Sequence, residues 1–374
     1  MLSLVKLNRF LARISLRNRL CYSAAKKILK TNSETTLPTI DEAKKILNNA
    51  SPRPEKSLWP IHRNWPENPT VDISIIVPCF NVEKYINECI NSCLAQKTSK
   101  TFEIIAINDG STDNTGLLLN EIASKAPRLK VIHQNNRGFS GARNRGIDSA
   151  SGRTFVFCDS DDIMEPDAIE KMYKQYESSD CDFVSANFIE MSEDGQLHKK
   201  AEGQRTHGGP CARLYSREIW RNLRFPENFW FEDTVQAYCI DQIYREAYCD
   251  HYVYRYRQHK KSITHTASFS KKGLDSFYIV DEMLEWCKNL SIALDQKLYD
   301  QTLRQFGPIL FSRCASLEQK EWKALFVCIR QLIKETPWNN TFQTNMVGHW
   351  KDLEYAIQTN NYYLWQVAMI SLLS

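Results

Sequence analysis

Asp159, Asp161 and Asp162 place three carboxylates within four residues, directly after the apolar run Phe155-Val156-Phe157-Cys158. A buried strand does not normally end in clustered acids, because neighbouring carboxylates repel and desolvate one another. A cation removes that cost, and an all-oxygen donor set suits Mg²⁺ or Mn²⁺ better than zinc. The competing reading is a solvated turn that caps the next helix, near whose start Pro166 stands. A second acidic pair, Glu232-Asp233, follows the aromatic patch Phe229-Trp230-Phe231. It opens an expected helix to Tyr244. These acids either move a proton or sit as favourable first-turn residues on a helix.

The elements that must hold these groups alternate along the chain. Residues 71–77 form a β-branched run stopped by Pro78, and a helical pattern covers 82–95. A second apolar run, 102–107, ends in Asn108-Asp109-Gly110-Ser111-Thr112-Asp113, where Ser111 or Thr112 caps a helix and Gly110 permits a tight turn. Residues 129–133 form a third run. Arg137-Gly138-Phe139-Ser140-Gly141-Ala142-Arg143-Asn144 then leads into a short helix, and 154–158 form a fourth run. Strand and helix alternating with short gaps predict an α/β domain with a mainly parallel central sheet. Three of the four runs finish in polar or acidic residues. Those side chains therefore gather along one edge, where open parallel sheets bind ligands.

Five pieces in this order resemble the family 2 glycosyltransferases, whose nucleotide-sugar-binding fold is called GT-A. They are Ile76-Val77-Pro78-Cys79-Phe80-Asn81, Asn108 to Asp113, Asn135-Asn136-Arg137-Gly138 with Ala142-Arg143-Asn144, Asp159-Ser160-Asp161-Asp162, and Phe231-Glu232-Asp233. The resemblance implies an inverting, metal-dependent transfer from a nucleotide-sugar donor of the uridine diphosphate class. The acceptor would be a glycan or a lipid-linked molecule of bacterial surface polysaccharide. It places Pro78, Phe80, Asn81, Asp109, Arg137, Arg143, Asp159, Ser160 and Asp161 around the donor. Phe80 would stack on the base and Asp109 would accept from the uracil N–H. The alternative for Phe80 is a core aromatic, and for either arginine a surface salt bridge. Asp161 would bind Mn²⁺ or Mg²⁺. Asp159 would contact the ribose or the sugar, or join the metal, and Asp162 would be a second ligand or a helix cap. Asp233 would be the general base, with Glu232 as its orienting or acceptor-binding partner. Trp230, Arg213 (where the family segment usually has lysine) and Arg257 fall on the acceptor side, and Arg257 is also a phosphate candidate. His265 either completes the metal site or is a surface histidine.

The 374 residues exceed one minimal domain, and a net charge of +4 does not indicate a nucleic-acid binder. The 12 cysteines are scattered, with no Cys-x-x-Cys pair and no zinc spacing. Several stand in apolar runs (Cys79, Cys158, Cys239), which reads as reduced, buried thiols in a reducing compartment. No apolar run reaches 18 residues, so no transmembrane helix is expected. Up to Lys30 the chain holds eight basic residues and no acid. On a helical wheel Leu4, Leu7, Leu11 and Ile14 oppose Arg9, Arg13 and Arg17. Such a basic amphipathic helix either lies on an anionic membrane or docks on its own catalytic domain, and a mitochondrial-type presequence shares these traits. The expected location is cytoplasmic, with peripheral contact to the inner face of the membrane in the first case. The expected organisation is a basic helix and Pro-rich linker over 1–70, with a short helix near 41–49. A GT-A domain follows over 71–267, split near 165 into donor and acceptor halves, and a helical extension covers 268–374. Two other classes stay open. One is an inactive nucleotide-sugar-fold scaffold. The other is a phosphoryl or nucleotidyl transferase, which should carry a triphosphate-binding loop that is not found.

Overall fold

The computed structural model describes residues 22–24, 26–28, 36–56, 68–199, 205, 209–259, 266–338 and 343–373. The expected basic helix over 1–20 and His265 lie outside the described residues. The chain forms two compact units, one of residues 55–262 and one of segments 1–54 and 263–374.

In the second unit, helix α1 (Ile40–Ala50) begins at a capping box: Thr39 Oγ1 accepts from the Glu42 amide while the Glu42 carboxylate accepts from the Thr39 amide. Its buried residues, Ala43 and Leu47, lie one turn apart and pack on the helix Gln319–Glu335. The helix expected near 41–49 is therefore present, and its packing partners are C-terminal helices. Asp275–Asn289, Gln319–Glu335 and Tyr362–Leu372 are helices of the C-terminal segment. Gln296–Arg304 and His349–Gln358 are additional.

In the first unit the described strands form one nine-stranded sheet. They are β1 (Val71–Cys79), β2 (Phe102–Asp109), β3 (Leu129–Gln134), β4 (Gly152–Phe157), β5 (Ile163–Met164), β6 (Phe183–Met191), β7 (Leu197–His198), β8 (Arg213–Ser216) and β9 (Glu246–Arg257). The order is β3-β2-β1-β4-β8-β6-β9-β5, with β7 on β6. The β3-β2-β1-β4 half is parallel. The apolar runs of β1, β2 and β4 are buried on both faces, as a parallel sheet covered by helices requires, while the edge strand β3 is largely accessible. Beyond β4 the sheet is mixed: β8 is antiparallel to β4 and β6, and β9 is parallel to β6. The four expected runs are all strands.

Helices α2 (Ile86–Leu94), α3 (Thr115–Ala123), α4 (Gly138–Ser149) and α5 (Ala168–Ser178) connect the strands of this unit. Helix α4 departs from expectation, since it begins at Gly138 and includes the glycine-rich segment. Packing decides this over weak intrinsic propensity. Gly146 lets α4 lie directly on β1, because a Cβ there would overlap Cγ2 of the buried Ile76. Replacing a helical glycine with alanine ordinarily gains up to ~1 kcal/mol. Here overpacking against a stiff β-branched side chain costs ~1–3 kcal/mol. Gly146→Ala should therefore lower the urea midpoint of the sheet unit, followed by tryptophan fluorescence. An unchanged or higher midpoint would show that the contact relaxes freely.

Candidate active site

Strands β1 and β2 end level, with Cys79 paired to Asn108. Phe80 and Asp109 therefore leave adjacent strands at one edge. Phe80 is 47 % exposed, so its ring is a surface rather than a core residue. Pro78 is buried within β1. Asn81, in the left-handed region at φ 52, links the two loops. Its Oδ1 accepts from the Thr112 amide at 2.8 Å and its own amide donates to Ser111 Oγ at 3.1 Å. Asp109 is 1 % exposed. Its Oδ1 accepts from Gln134 Nε2 at 2.7 Å and from the Arg137 amide at 2.9 Å. Its Oδ2 is buried without a hydrogen-bond partner. An unsatisfied buried carboxylate oxygen is costly, so this atom is an acceptor suited to a ligand N–H. The Arg137 side chain bridges Glu227 at 2.8 Å, which follows the salt-bridge reading.

Strand β4 delivers the acidic turn. Asp162 is fully buried, with Oδ2 accepting from the Tyr254 hydroxyl at 2.8 Å and Oδ1 from the Arg257 amide at 2.7 Å. Burial, with the charges of Asp161 and Asp159 beside it, pushes its carboxyl well above the usual range. Both carboxylate oxygens of Asp162 are thus engaged by residues of β9. Ser160 is buried in the same turn. Arg257 is also a brace, since Nε donates to the Asp161 carbonyl at 2.7 Å and Nη2 to Glu88 Oε2 at 2.6 Å. Its guanidinium lies 5.0 Å from the Tyr85 ring. Those donors are directed at the turn and at α2.

Asp161 points outward, with a side chain 29 % exposed and Oδ2 2.7 Å from His259 Nε2. The hydrogen bond to Asp161 raises the pKa of His259 above its ordinary value, against the opposing effect of burial. One carboxylate and one imidazole on a common exposed face fit a divalent ion. The imidazole favours a transition ion such as Mn²⁺ over Mg²⁺. Among the described residues, His259 is a histidine that the fold brings to the acids. It closes the segment Tyr256-Arg257-Gln258-His259, and nothing local marks it.

Arg143, on α4, is 5 % exposed and joins both acidic groups. Nη2 contacts Asp159 Oδ1 at 2.6 Å and Nη1 contacts Glu232 Oε1. The Phe225 ring lies 5.4 Å from the guanidinium. Burial opposes its charge, yet Asp159 and Glu232 hold its pKa above the ordinary arginine value. Burial pushes the Glu232 carboxyl up to about 7, against the lowering effect of Arg143.

The acidic pair sits on a turn bounded by left-handed residues and, as expected, opens a helical run, which covers residues 234–243. Asn228 and Phe231 have φ of 73° and 64°. The Phe231 carbonyl accepts from the Thr234 amide at 3.0 Å and from Thr234 Oγ1 at 2.7 Å. A π-helical turn, Gln236–Ile240, and the short helix Asp241–Ile243 follow. Asp233 is half-buried, and its carboxylate lies beside Gly209. Trp230 is half-buried and edge-on to Phe231 at 6.3 Å. Arg213, on β8, is buried with Nη1 unpartnered. Its electrostatic partners include Tyr215, Asp241 and Glu246.

The profile of glycosyl transferase family 2 matches residues 74–241. The chain carries a glycosyl transferase family 2 domain. The match spans the donor residues, the acidic turn and the acidic pair, and it stops before Arg257 and His259. Glycosyltransferase GlyA of Streptococcus pneumoniae serotype 4 is 31% identical over 177 residues, which is 47% of this chain and 24% of that protein. An uncharacterized glycosyltransferase, EpsJ of Bacillus subtilis strain 168, is 33% identical over 216 residues, 51% of this chain and 62% of that protein. The chain thus spans less than two thirds of these relatives. The crystal structure of S. aureus TarS 1–349 superposes with a TM-score of 0.51 at 18% identity, covering 80% of this chain and 91% of that one. This is the GT-A fold. No helix among the described residues is long and apolar enough to cross a membrane.

The Asp161–His259 pair sets a pH dependence. A proton on His259 strengthens its pairing with Asp161 and blocks the ring nitrogen from a metal. With its pKa raised, the proton is held to higher pH. The pair's own stabilisation is present below the unfolded value near 6.5 and is lost as pH rises through the folded value. Mn²⁺ affinity, measured by calorimetry with a nucleoside diphosphate present, should strengthen from about pH 5 to about pH 8. His259→Asn should bind more weakly with a flatter profile. Identical profiles for wild type and variant would remove His259 from the metal site.

Proposed function

We propose that the protein is an inverting glycosyltransferase that takes a sugar from a uridine diphosphate donor. Its acceptor is a glycan or lipid-linked molecule of a surface polysaccharide. The observation that carries this reading is the buried, unpartnered Oδ2 of Asp109 beside the exposed ring of Phe80. A nucleobase needs a flat face and, for uracil, an acceptor for its imino N–H. TarS, a neighbour in fold, has been solved in complex with UDP-GlcNAc. Two Pasteurella multocida proteins, a chondroitin synthase and a hyaluronan synthase, are each 38% identical over 104 residues, 28% of this chain and 11% of each protein. These likenesses favour polysaccharide synthesis.

In this reading Asp233 takes the proton from the acceptor hydroxyl, which attacks the anomeric carbon opposite the departing diphosphate and inverts it. Glu232 cannot rotate toward the acceptor without abandoning Arg143, so it orients rather than accepts. Arg143 keeps a positive charge beside Asp159, on the donor side. Asp161 and His259 would hold a divalent ion, which when bound neutralises charge on the leaving group.

Two measurements test this. A hydrogen bond to a charged group is worth ~1.5–3 kcal/mol. Asp109→Ala should therefore weaken uridine diphosphate binding about 10- to 100-fold in calorimetry. Binding of the guanosine counterpart should be little changed, and an equal loss for both nucleotides would argue against a base contact.

Removing a general base costs ~10²–10⁴-fold in rate. Asp233→Asn should lose transfer on that scale while its donor affinity stays within a few fold. Glu232→Gln should lose less. Near-normal transfer by Asp233→Asn would move the base elsewhere, with Glu232 the first candidate.

A further inference from the structure

Behind the acidic turn lie cysteines that the transfer chemistry does not use. Cys89 and Cys93 stand one helical turn apart on α2, and Cys158 is the residue immediately before Asp159. All three are fully buried. Their sulfurs lie within 4.8 Å of one another, and those of Cys89 and Cys158 are 3.7 Å apart. Met164 adds a fourth sulfur, its Sδ 3.8 Å from Cys93 Sγ. Among the described residues this is the one group of three or more His, Cys, Asp or Glu with metal-ligand spacing.

The separations are those of ligands around an ion. With zinc–sulfur bonds of ~2.3 Å, sulfurs at the corners of a tetrahedron are ~3.8 Å apart and those of a trigonal plane ~4.0 Å. The Cys89–Cys158 separation already matches, and small side-chain rotations close the remainder. Ordinary core packing accounts for a single buried thiol. It does not call for three thiols to gather within 4.8 Å of one another, with a thioether beside one of them. An all-sulfur donor set selects thiophilic d¹⁰ ions and rejects the oxygen-seeking ions suited to Asp161.

We propose that Cys89, Cys93 and Cys158, with Met164 as a fourth donor, form a structural site for a thiophilic ion, zinc or copper(I). It would be separate from the ion of sugar transfer. Each thiol that binds releases its proton to solvent. Because the site is closed, the ion enters as the chain folds. Its structural reach is direct: the Cys89 and Cys158 sulfurs lie 3.5 and 3.6 Å from the Asp159 carbonyl oxygen. An occupied site would tie α2 to the end of β4, where the acidic turn begins.

The test uses the full chain produced in medium supplemented with zinc or, separately, with copper, purified and analysed by elemental mass spectrometry. One of the two preparations should retain about one ion per chain after dialysis. Cys93→Ser should retain less than about a tenth as much, and Cys287→Ser, which alters a buried thiol in the other unit, should retain the full amount. Should Cys93→Ser fail to fold, wild-type protein refolded with Cd²⁺ supplies an independent reading through the ultraviolet thiolate-to-cadmium band. Three results overturn the proposal: wild-type protein free of ion by every route, full retention by Cys93→Ser, or a Cys89–Cys158 disulfide in the purified chain.

Discussion

The candidate site depends on one buried guanidinium. Arg143 is enclosed by Phe225 and neighbouring residues, yet holds Asp159 on one side and Glu232 on the other. A buried charge of this kind is tolerated only when its partners are charged and well placed. Removing one partner of such a pair costs ~3–5 kcal/mol. Asp159 therefore cannot shift without disturbing Glu232, the acid next to Asp233. Helix α4 makes this possible by lying against β1 through Gly146, which brings Arg143 close to the strand ends. A helix held a few ångströms farther out would leave that guanidinium short of both carboxylates.

The two acidic stretches are held in different ways. The 159–162 turn is fixed by long-range ties, to the Tyr254 hydroxyl, the Arg257 backbone and the Arg257 guanidinium. The 228–234 turn is held locally, by two left-handed residues and by Thr234 bonding back to Phe231. Left-handed conformations at Asn228 and Phe231 are strained. That strain fixes the direction of the Glu232-Asp233 pair, one side chain inward to Arg143 and the next toward the half-exposed edge.

The parallel half of the sheet was legible in the sequence because its inner strands, buried on both faces, are continuous apolar runs, and three of the four runs end in polar or acidic residues. Asp109, Asp161 and the Glu232-Asp233 pair were legible for the same reason, as acids at element ends. What divides Asp161 from Asp162 was not. The two are adjacent and chemically identical, and their fates are decided by residues more than 90 positions away. His259 was hidden likewise, 98 residues from its partner and beyond the family match. The helix over Gly138–Ser149 was missed at its start because packing on β1 overrides what its glycines prefer. Among the cysteines, Cys89 and Cys93 show helical spacing, but their third partner is 65 or more residues on.

The ties from Asp161 and Asp162 to the end of β9 also bear on how the protein is made. Asp159, Asp161 and Asp162 emerge from the ribosome early, with the parallel strands that position them. The groups that turn one acid inward and the other outward follow 92 to 98 residues later. Until then the nascent chain can pair β1, β2, β3 and β4, and so bring Phe80 and Asp109 to one edge, while its acidic turn lacks the ties to β9. The strand edge carrying Phe80 and Asp109 and the pairing of Asp161 with His259 are thus completed at different times in synthesis, the second only when the final strand of the sheet is laid down.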